Sequence, residues 1–204
     1  MTDESRSGDA VNDRTGFIGL GILRPARAGF TLTVWNRSAG PAAALVELGA
    51  TEAPSPAEVA RRSDDVVTCL TDSPHLEAVL FGTVGVAEEL IAGSLVIDCS
   101  TLRPVKTIEF AQRLATLDIS MLDAPVSGGS EGAKNATLAI FVGGHVLDVA
   151  RGNGVLAAHG KDGHPHRSPR SRPMDHVSQS GDDREHVPER RRGSHTCLES
   201  GPRR

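Results

Sequence analysis

Residues 15–38 read TGFIGLGILRPARAGFTLTVWNRS, and the fold turns on how they are read. An apolar run, Gly16–Leu20, ends in the turn Gly19-Leu20-Gly21. A second run, FTLTVW at 30–35, is rich in β-branched residues and ends in Asn36-Arg37-Ser38. Two strands joined through a Gly-x-Gly turn open a dinucleotide-binding unit. The first glycine permits the tight turn, and the second lets the backbone approach a pyrophosphate at the next helix N-terminus. The same dipeptide spacing also serves as an ordinary strand-to-loop turn. At the end of the second strand, NAD-binding units place Asp or Glu on the ribose 2′-hydroxyl. Asn36 has no charge to repel a phosphate, and Arg37 and Ser38 can bind one. This pattern favours NADP, with NAD possible; the plain alternative is a polar strand end with one solvated arginine.

Working outward, short apolar runs alternate with helical stretches. Asp65–Leu70, Ser94–Cys99, Ile119–Leu122 and Leu138–Val142 read as strands. Helices are predicted at Pro41–Leu48, Pro74–Phe81, Val86–Ile91 and Pro104–Leu117, the last with an apolar face of Val105, Ile108, Ala111, Leu114 and Ala115. Ser55-Pro56-Ala57-Glu58 is a helix start, with Ser as N-cap, Pro at the first helical position and an acid in the first turn. Strands that are apolar throughout, alternating with helices, mean a parallel sheet covered on both faces. With right-handed crossovers the fold class is α/β, a Rossmann-like, doubly wound, mainly parallel sheet.

The chain has 204 residues and a formal net charge of −4. That charge argues against nucleic acid or a membrane surface as partner, and no run of 18 apolar residues reads as a membrane span. Composition divides the chain near Gly160. The aromatic residues are five Phe and one Trp, with no Tyr, and none lies beyond Phe141. Residues 161–204 are crowded with Arg, His and Pro and show neither period 2 nor period 3.6. The predicted organisation is a disordered leader at 1–14, an NAD(P)-binding domain at 15–160 and a disordered tail at 161–204. Cys69 and Cys99 lie inside apolar runs and read as buried thiols; with Cys197 they make an odd, scattered set that fits a reducing cytoplasm.

Four motifs in order, GFIGLG at 16–21, LTVWNRS at 32–38, VIDCST at 96–101 and DAPVSGG at 123–129, resemble the β-hydroxyacid dehydrogenases. TLAIFVGG at 137–144 continues the resemblance, which covers about residues 15–160. The family contains 3-hydroxyisobutyrate dehydrogenase and tartronate semialdehyde reductase and is related to 6-phosphogluconate dehydrogenase. The resemblance implies an N-terminal NAD(P)-binding domain and reversible hydride transfer between nicotinamide and a small 3-hydroxy acid. It implies that Gly19, Leu20 and Gly21 meet the pyrophosphate, and that Asn36, Arg37 and Ser38 meet the adenosine ribose or its phosphate. Leu70 and Thr101 complete the cofactor set, Thr101 near the nicotinamide. Ser127, Gly128 and Gly129 bind the substrate carboxylate. For that last loop the residues speak directly: two glycines after a Ser let backbone N–H groups converge on an anion, although a mobile glycine turn reads the same way. Asp98 and Asp123 sit at strand ends, where carboxylates cap or orient loops.

The chain departs from the family pattern in two places. Only Ile22–Gly29 separates the glycine turn from the second strand, Arg24 stands where the family has its third glycine, and Pro25 follows. A parallel crossover takes about a dozen residues or more, so the usual helix is expected to be missing here, damaging the pyrophosphate site and one sheet face. The family's catalytic Lys, a general acid toward the substrate oxygen, follows the VGG motif on a long helix. After Gly144 the one Lys is Lys161, too early to match it. The family's helical domain, through which its members pair, is likewise expected to be missing, so activity is impaired and the oligomerisation surface is lost. On this reading no catalytic residue is assigned. The alternatives are a non-catalytic NADP-binding module and an inert pseudogene product.

The abrupt change of composition after Lys161 predicts translation out of frame. Asp162–Pro169 can be coded so that dropping the first base spells T-V-T-H-I-G-P, a stretch typical of the family. Met174-Asp175-His176 shifts to W, then T or I, then T or M, so the third codon cannot supply the family's Lys. His164 and His166 lack a Cys or carboxylate cluster to complete a metal site, and Arg190-Arg191-Arg192 lacks the aromatics of a nucleic-acid surface. Sequencing of codons 160–165 is expected to show a displaced frame. A clean single frame through position 204, with the intact mass to match, contradicts it.

Overall fold

The computed structural model describes residues 14–20, 31–135, 137–157 and 166–167. Six strands, β1 (Arg14–Ile18), β2 (Thr31–Trp35), β3 (Thr51–Glu52), β4 (Asp65–Thr68), β5 (Leu95–Asp98) and β6 (Ser120–Asp123), form one sheet in the order β3-β2-β1-β4-β5-β6. Every pairing is parallel. The chain runs outward from β1 to β3, then continues on the other side of β1 from β4 to β6. The point where strand order reverses therefore lies between β1 and β4.

Side chains alternate across the sheet and bury both faces. On one face Phe17, Val34, Val67, Ile97 and Leu122 pack with Leu45 of helix α1 (Ala39–Val46) and with Val155 and Leu156 of helix α6 (Val146–Ala157). On the other face Ile18, Val66, Val96 and Met121 meet three helices, α2 (Pro56–Arg61), α3 (Ser73–Phe81) and α4 (Pro104–Ala115). All four residues of β4 and of β5 are buried, which is why those strands carry no polar alternation. At about 1.5–3 kcal/mol for each large apolar side chain removed from water, these two layers supply the main stabilisation.

Local signals place several elements. Ser55 caps α2 by accepting the Glu58 N–H at 3.2 Å, with Pro56 at the first helical position. Asp72 caps α3 by accepting the His75 N–H at 3.0 Å. Arg151 of α6 donates to the Gly93 carbonyl and pairs with Asp65, whose carboxylate also accepts the Leu95 N–H at 3.0 Å. That pair, its carboxylate buried and its guanidinium partly exposed, pins α6 across the N-terminal ends of β4 and β5.

The structure corrects several expectations. Arg14, assigned to the leader, begins β1, pairing with Thr31 and forming a salt bridge with Asp64; residues 1–13 lie outside the described residues. Val86–Ile91 is not a helix. It makes turns, with Leu90 N–H to the Val86 carbonyl, while the Val86 and Ala87 N–H groups reach back to the Val79 and Leu80 carbonyls of α3. On α4 the buried face is Thr107, Phe110, Ala111 and Leu114, while Val105, Ile108 and Ala115 are exposed. The period was right, and the large Phe110 ring, 5.9 Å from that of Phe81, sets the rotation. Unpredicted are β3, α6, the short helix α5 (Gly129–Lys134) and β7 (Val126–Ser127), which pairs antiparallel with β8 (Ala139–Val142). Residues 161–204, given no structure above, contribute β9 (His166–Arg167), parallel to β8; their other residues lie outside the described set. So does the shortened crossover, residues 21–30. On the sheet face that α1 and α6 cover, Phe17 and Val34 are fully buried. Among the described residues no helix is long and apolar enough to cross a membrane.

Candidate functional site

The residues singled out from the sequence fall along the C-terminal edge of the sheet. Asn36, Arg37 and Ser38 follow β2, Gly19 and Leu20 follow β1, Leu70 follows β4, Thr101 follows β5, and Ser127 stands in β7 beyond β6. Gly21 lies outside the described residues. The structure brings Gly19, Asn36, Arg37, Ser38 and Leu70 together around one cleft of about 270 Å³, at the point where strand order reverses. Thr101, Ser127, Gly128 and Gly129 are exposed and do not line it.

Gly19 has φ +90°, a conformation L side chains rarely adopt. A Cβ there would stand 2.2 Å from the Cys69 carbonyl oxygen and 2.7 Å from Leu70 Cδ2. The end of β1 and the loop after β4 thus approach within a distance only glycine permits. The turn is also tied to β2: Gly19 N–H donates to the Trp35 carbonyl and Leu20 N–H to Asn36 Oδ1, each at 3.1 Å. Asn36 Nδ2 in turn donates to the Ser38 carbonyl at 2.7 Å. Both ends of the Asn36 amide are therefore engaged within the chain, and its local work is to fix the glycine turn. The Gly19 and Leu20 amides are therefore both committed within the chain.

Arg37 and Ser38 are exposed at the cleft mouth. Arg37 Nη1 lies 2.9 Å from His75 Nε2, and His75 Nδ1 lies 2.7 Å from Asp72 Oδ1. Sequence reasoning missed His75 and Thr71, which also line the cleft. No short-range pattern marks them; they reach the cleft because the start of α3 packs beside the end of β2. The Asp72 carboxyl is held below its usual range, first by the His75 N–H, then by the His75 side chain, against an opposing effect of burial. Its charge is directed to the cap and the imidazole. Cys99 is buried as expected, and burial pushes its thiol well up; Cys69 is half-buried and lines the cleft.

Beneath the cleft lies Asp98, fully buried at the end of β5. Its Oδ1 accepts from Thr68 Oγ1 at 2.8 Å, Ser100 Oγ at 2.6 Å and Ser100 N–H at 3.2 Å. Its Oδ2 has no hydrogen-bond partner among the described residues. Burial raises the carboxyl to about 6, with Asp123 on the neighbouring strand adding like charge, and the three donors only partly offset this. Asp123 is also raised by burial.

At the other end of the edge, Gly128 and Gly129 adopt φ +135° and +60° between β7 and α5. A Cβ on Gly128 would lie 3.1 Å from Leu138 Cδ2, while nothing lies within 4 Å of one on Gly129. The first glycine is required by conformation and packing, the second by conformation alone.

A parallel, doubly wound sheet with a glycine turn beside a cleft at its strand-order reversal defines a dinucleotide-binding α/β domain. Comparison with known proteins narrows the class. The family profile of the NAD binding domain of 6-phosphogluconate dehydrogenase matches residues 14–168. The chain is 40% identical over 138 residues to 2-hydroxy-3-oxopropionate reductase of Escherichia coli (strain K12), covering 64% of this chain and 47% of that protein. It is 38% identical over 153 residues to a probable mitochondrial 3-hydroxyisobutyrate dehydrogenase of Dictyostelium discoideum, covering 72% and 48%. Its fold superimposes on the crystal structure of 3-hydroxyisobutyrate dehydrogenase from Salmonella typhimurium with a TM-score of 0.69 and 30% identity, over 75% of this chain and 55% of that one. The chain belongs to the β-hydroxyacid dehydrogenase family and carries its NAD(P)-binding domain. It spans about half the length of the relatives it matches.

The raised Asp98 makes a stability prediction. Between an ordinary carboxyl value near 4 and about 6, the folded chain holds a proton that the unfolded chain releases. Folding stability from this group is therefore full below pH 4 and is lost as pH rises through 6. Asp98→Asn removes that dependence. In urea denaturation, the variant's stability relative to wild type should rise by about 3 kcal/mol between pH 4 and pH 7. A difference that stays flat with pH contradicts the assignment.

Proposed function

We propose that the cleft between β1, β2 and α3 takes the adenosine half of a nicotinamide dinucleotide, NADP in preference to NAD. The observation that carries this is the end of β2. No carboxylate follows the strand to hold a ribose 2′-hydroxyl, and Arg37 and Ser38 stand exposed there beside the cleft. A guanidinium donates to a phosphate in paired, charge-assisted hydrogen bonds. The described residues fit this half of the cofactor: Gly19 lets the turn after β1 close on the Cys69 carbonyl at the cleft, and Leu70 supplies an apolar wall. When bound, the cofactor supplies the hydride acceptor or donor. Arg37 and Ser38 hold its 2′-phosphate, and Asn36 keeps the turn at Gly19 and Leu20 in register.

The activity we propose for the whole protein is hydride exchange between nicotinamide and a small 3-hydroxy acid of the 3-hydroxyisobutyrate type. Thr101 lies on the nicotinamide side, and the substrate carboxylate is held by Ser127, Gly128 and Gly129. Turnover by this chain is proposed to be impaired. Among the described residues the lysines are Lys106, paired with Glu109 and Glu77, and Lys134, paired with Glu131; both stand on helices away from the cleft lining. The lysine placement favours a second reading, an NADP-binding module without turnover. A measured turnover of 3-hydroxyisobutyrate or glycerate decides between the two.

Fluorescence titration tests the cofactor assignment. Loss of one charge-assisted contact, worth about 1.5–3 kcal/mol, corresponds to roughly a ten- to hundredfold weaker Kd. Arg37→Ala should weaken NADPH by that factor and NADH by less than about threefold. Equal losses for both cofactors remove the 2′-phosphate role, and no NADPH binding at millimolar concentration removes the cofactor site.

A further inference from the structure

The buried Thr68–Asp98–Ser100 cluster lies outside the cleft lining, yet it is joined to the cleft at Leu70 by one hydrogen bond. A serine hydroxyl has a single proton and free lone pairs. Ser100 spends its proton on Asp98 Oδ1 at 2.6 Å, and its oxygen accepts the Leu70 N–H at 2.9 Å. The carboxylate therefore sets the direction of the hydroxyl that holds Leu70. Leu70 follows Cys69, whose carbonyl oxygen closes on Gly19, and both residues line the cleft. Thr68, the other hydroxyl donor, is the last residue of β4 and leads into the same segment. Three donors converge on one carboxylate oxygen and none on the other. A charge kept in an apolar interior with half of its acceptor capacity unused is costly. Such costs are retained where position matters more than stability.

We infer that Asp98 is a positioning residue for the cofactor: acting through Ser100, its carboxylate holds Cys69–Thr71 against the glycine turn in the form that receives the dinucleotide, and protonation releases that segment. The inference rests on the cofactor reading above. A neutral acid is a poorer acceptor for the Ser100 hydroxyl, and Oδ2, where the proton would sit, has no acceptor among the described residues. The titratable groups around Asp98 are Asp123, its register partner on β6, and the Cys99 and Cys69 thiols beyond the ends of β5 and β4. Burial keeps Cys99 neutral. Asp123 adds like charge and favours the proton on Asp98, so Asp123→Asn should move the transition to lower pH without abolishing it.

The test uses the full chain at pH 5 and pH 7.5, reading amide hydrogen exchange at Leu70, corrected for intrinsic rate, and the Kd for NADPH. In the wild type, Leu70 protection should fall about tenfold at the lower pH, and the NADPH Kd should rise by a similar factor. Asp98→Asn should lose the pH dependence of both readouts. Ser100→Ala should lower Leu70 protection at both pH values while keeping the Asp98-dependent change in global stability. Leu70 protection that ignores pH in the wild type, or a dependence that survives in Asp98→Asn, overturns the inference. If NADPH binds to neither protein at either pH, the cofactor reading fails and takes the binding half of the inference with it. Leu70 exchange then decides by itself whether Asp98 holds the segment.

Discussion

The approach of the Cys69 carbonyl oxygen to Gly19 is the contact on which the site depends. At 2.2 Å from the place a Cβ would occupy, that oxygen excludes every residue but glycine, and the positive φ at Gly19 excludes them again. Because β1 and β4 are neighbours in the sheet while the chain between them visits β2 and β3, this contact sits where the strand order reverses. α1, after β2, and α3, after β4, pack on opposite faces of the sheet, leaving a crevice with backbone at its base. Asn36 and the Trp35 carbonyl tie the turn to β2, and Leu70, held by Ser100, ties it to β5. Four strand ends are thus coupled through one glycine.

Two buried carboxylates mark the two ends of the sheet and do different work. Asp65, at the N-terminal ends, pairs with Arg151 and takes the Leu95 N–H, fastening α6 over the strands. It is compensated by an opposite charge. Asp98, at the C-terminal ends, has hydroxyl and amide donors alone, and burial dominates its proton affinity. An ion pair offsets the cost of taking a charge out of water, and a set of neutral donors offsets less of it.

Most of the architecture was legible because the strands are buried on both faces. β4 and β5 announce themselves as unbroken apolar runs, and the cap at Ser55 is short-range chemistry. Less legible was what depends on packing partners. Val105 and Ile108 keep helical spacing on α4 but face away from the core, because Phe110 fills the space against Phe81. Val86–Ile91 has helix-forming residues, but its Val86 and Ala87 amides are drawn to the carbonyls of Val79 and Leu80 in α3. α6 was hidden by Gly152 and Gly154, although Gly152 is buried in that helix. At the site, the sequence motif picked out Asn36, but only the structure reveals that its amide is turned inward to Leu20 and Ser38. His75 reaches the cleft from α3, a placement no local pattern around Asp72 specifies.

The central claim is that the crevice beside Gly19 receives an NADP adenosine, with its phosphate at Arg37 and Ser38. Amide chemical shifts of the full chain, followed as NADP is added, test it most directly. The account predicts the largest changes at Gly19, Leu20, Arg37, Ser38 and Leu70, with those at Arg37 and Ser38 much reduced when NAD replaces NADP. Changes clustered elsewhere, such as on the exposed face of α4 around Val105 and Ile108, or no changes at millimolar NADP, would contradict it.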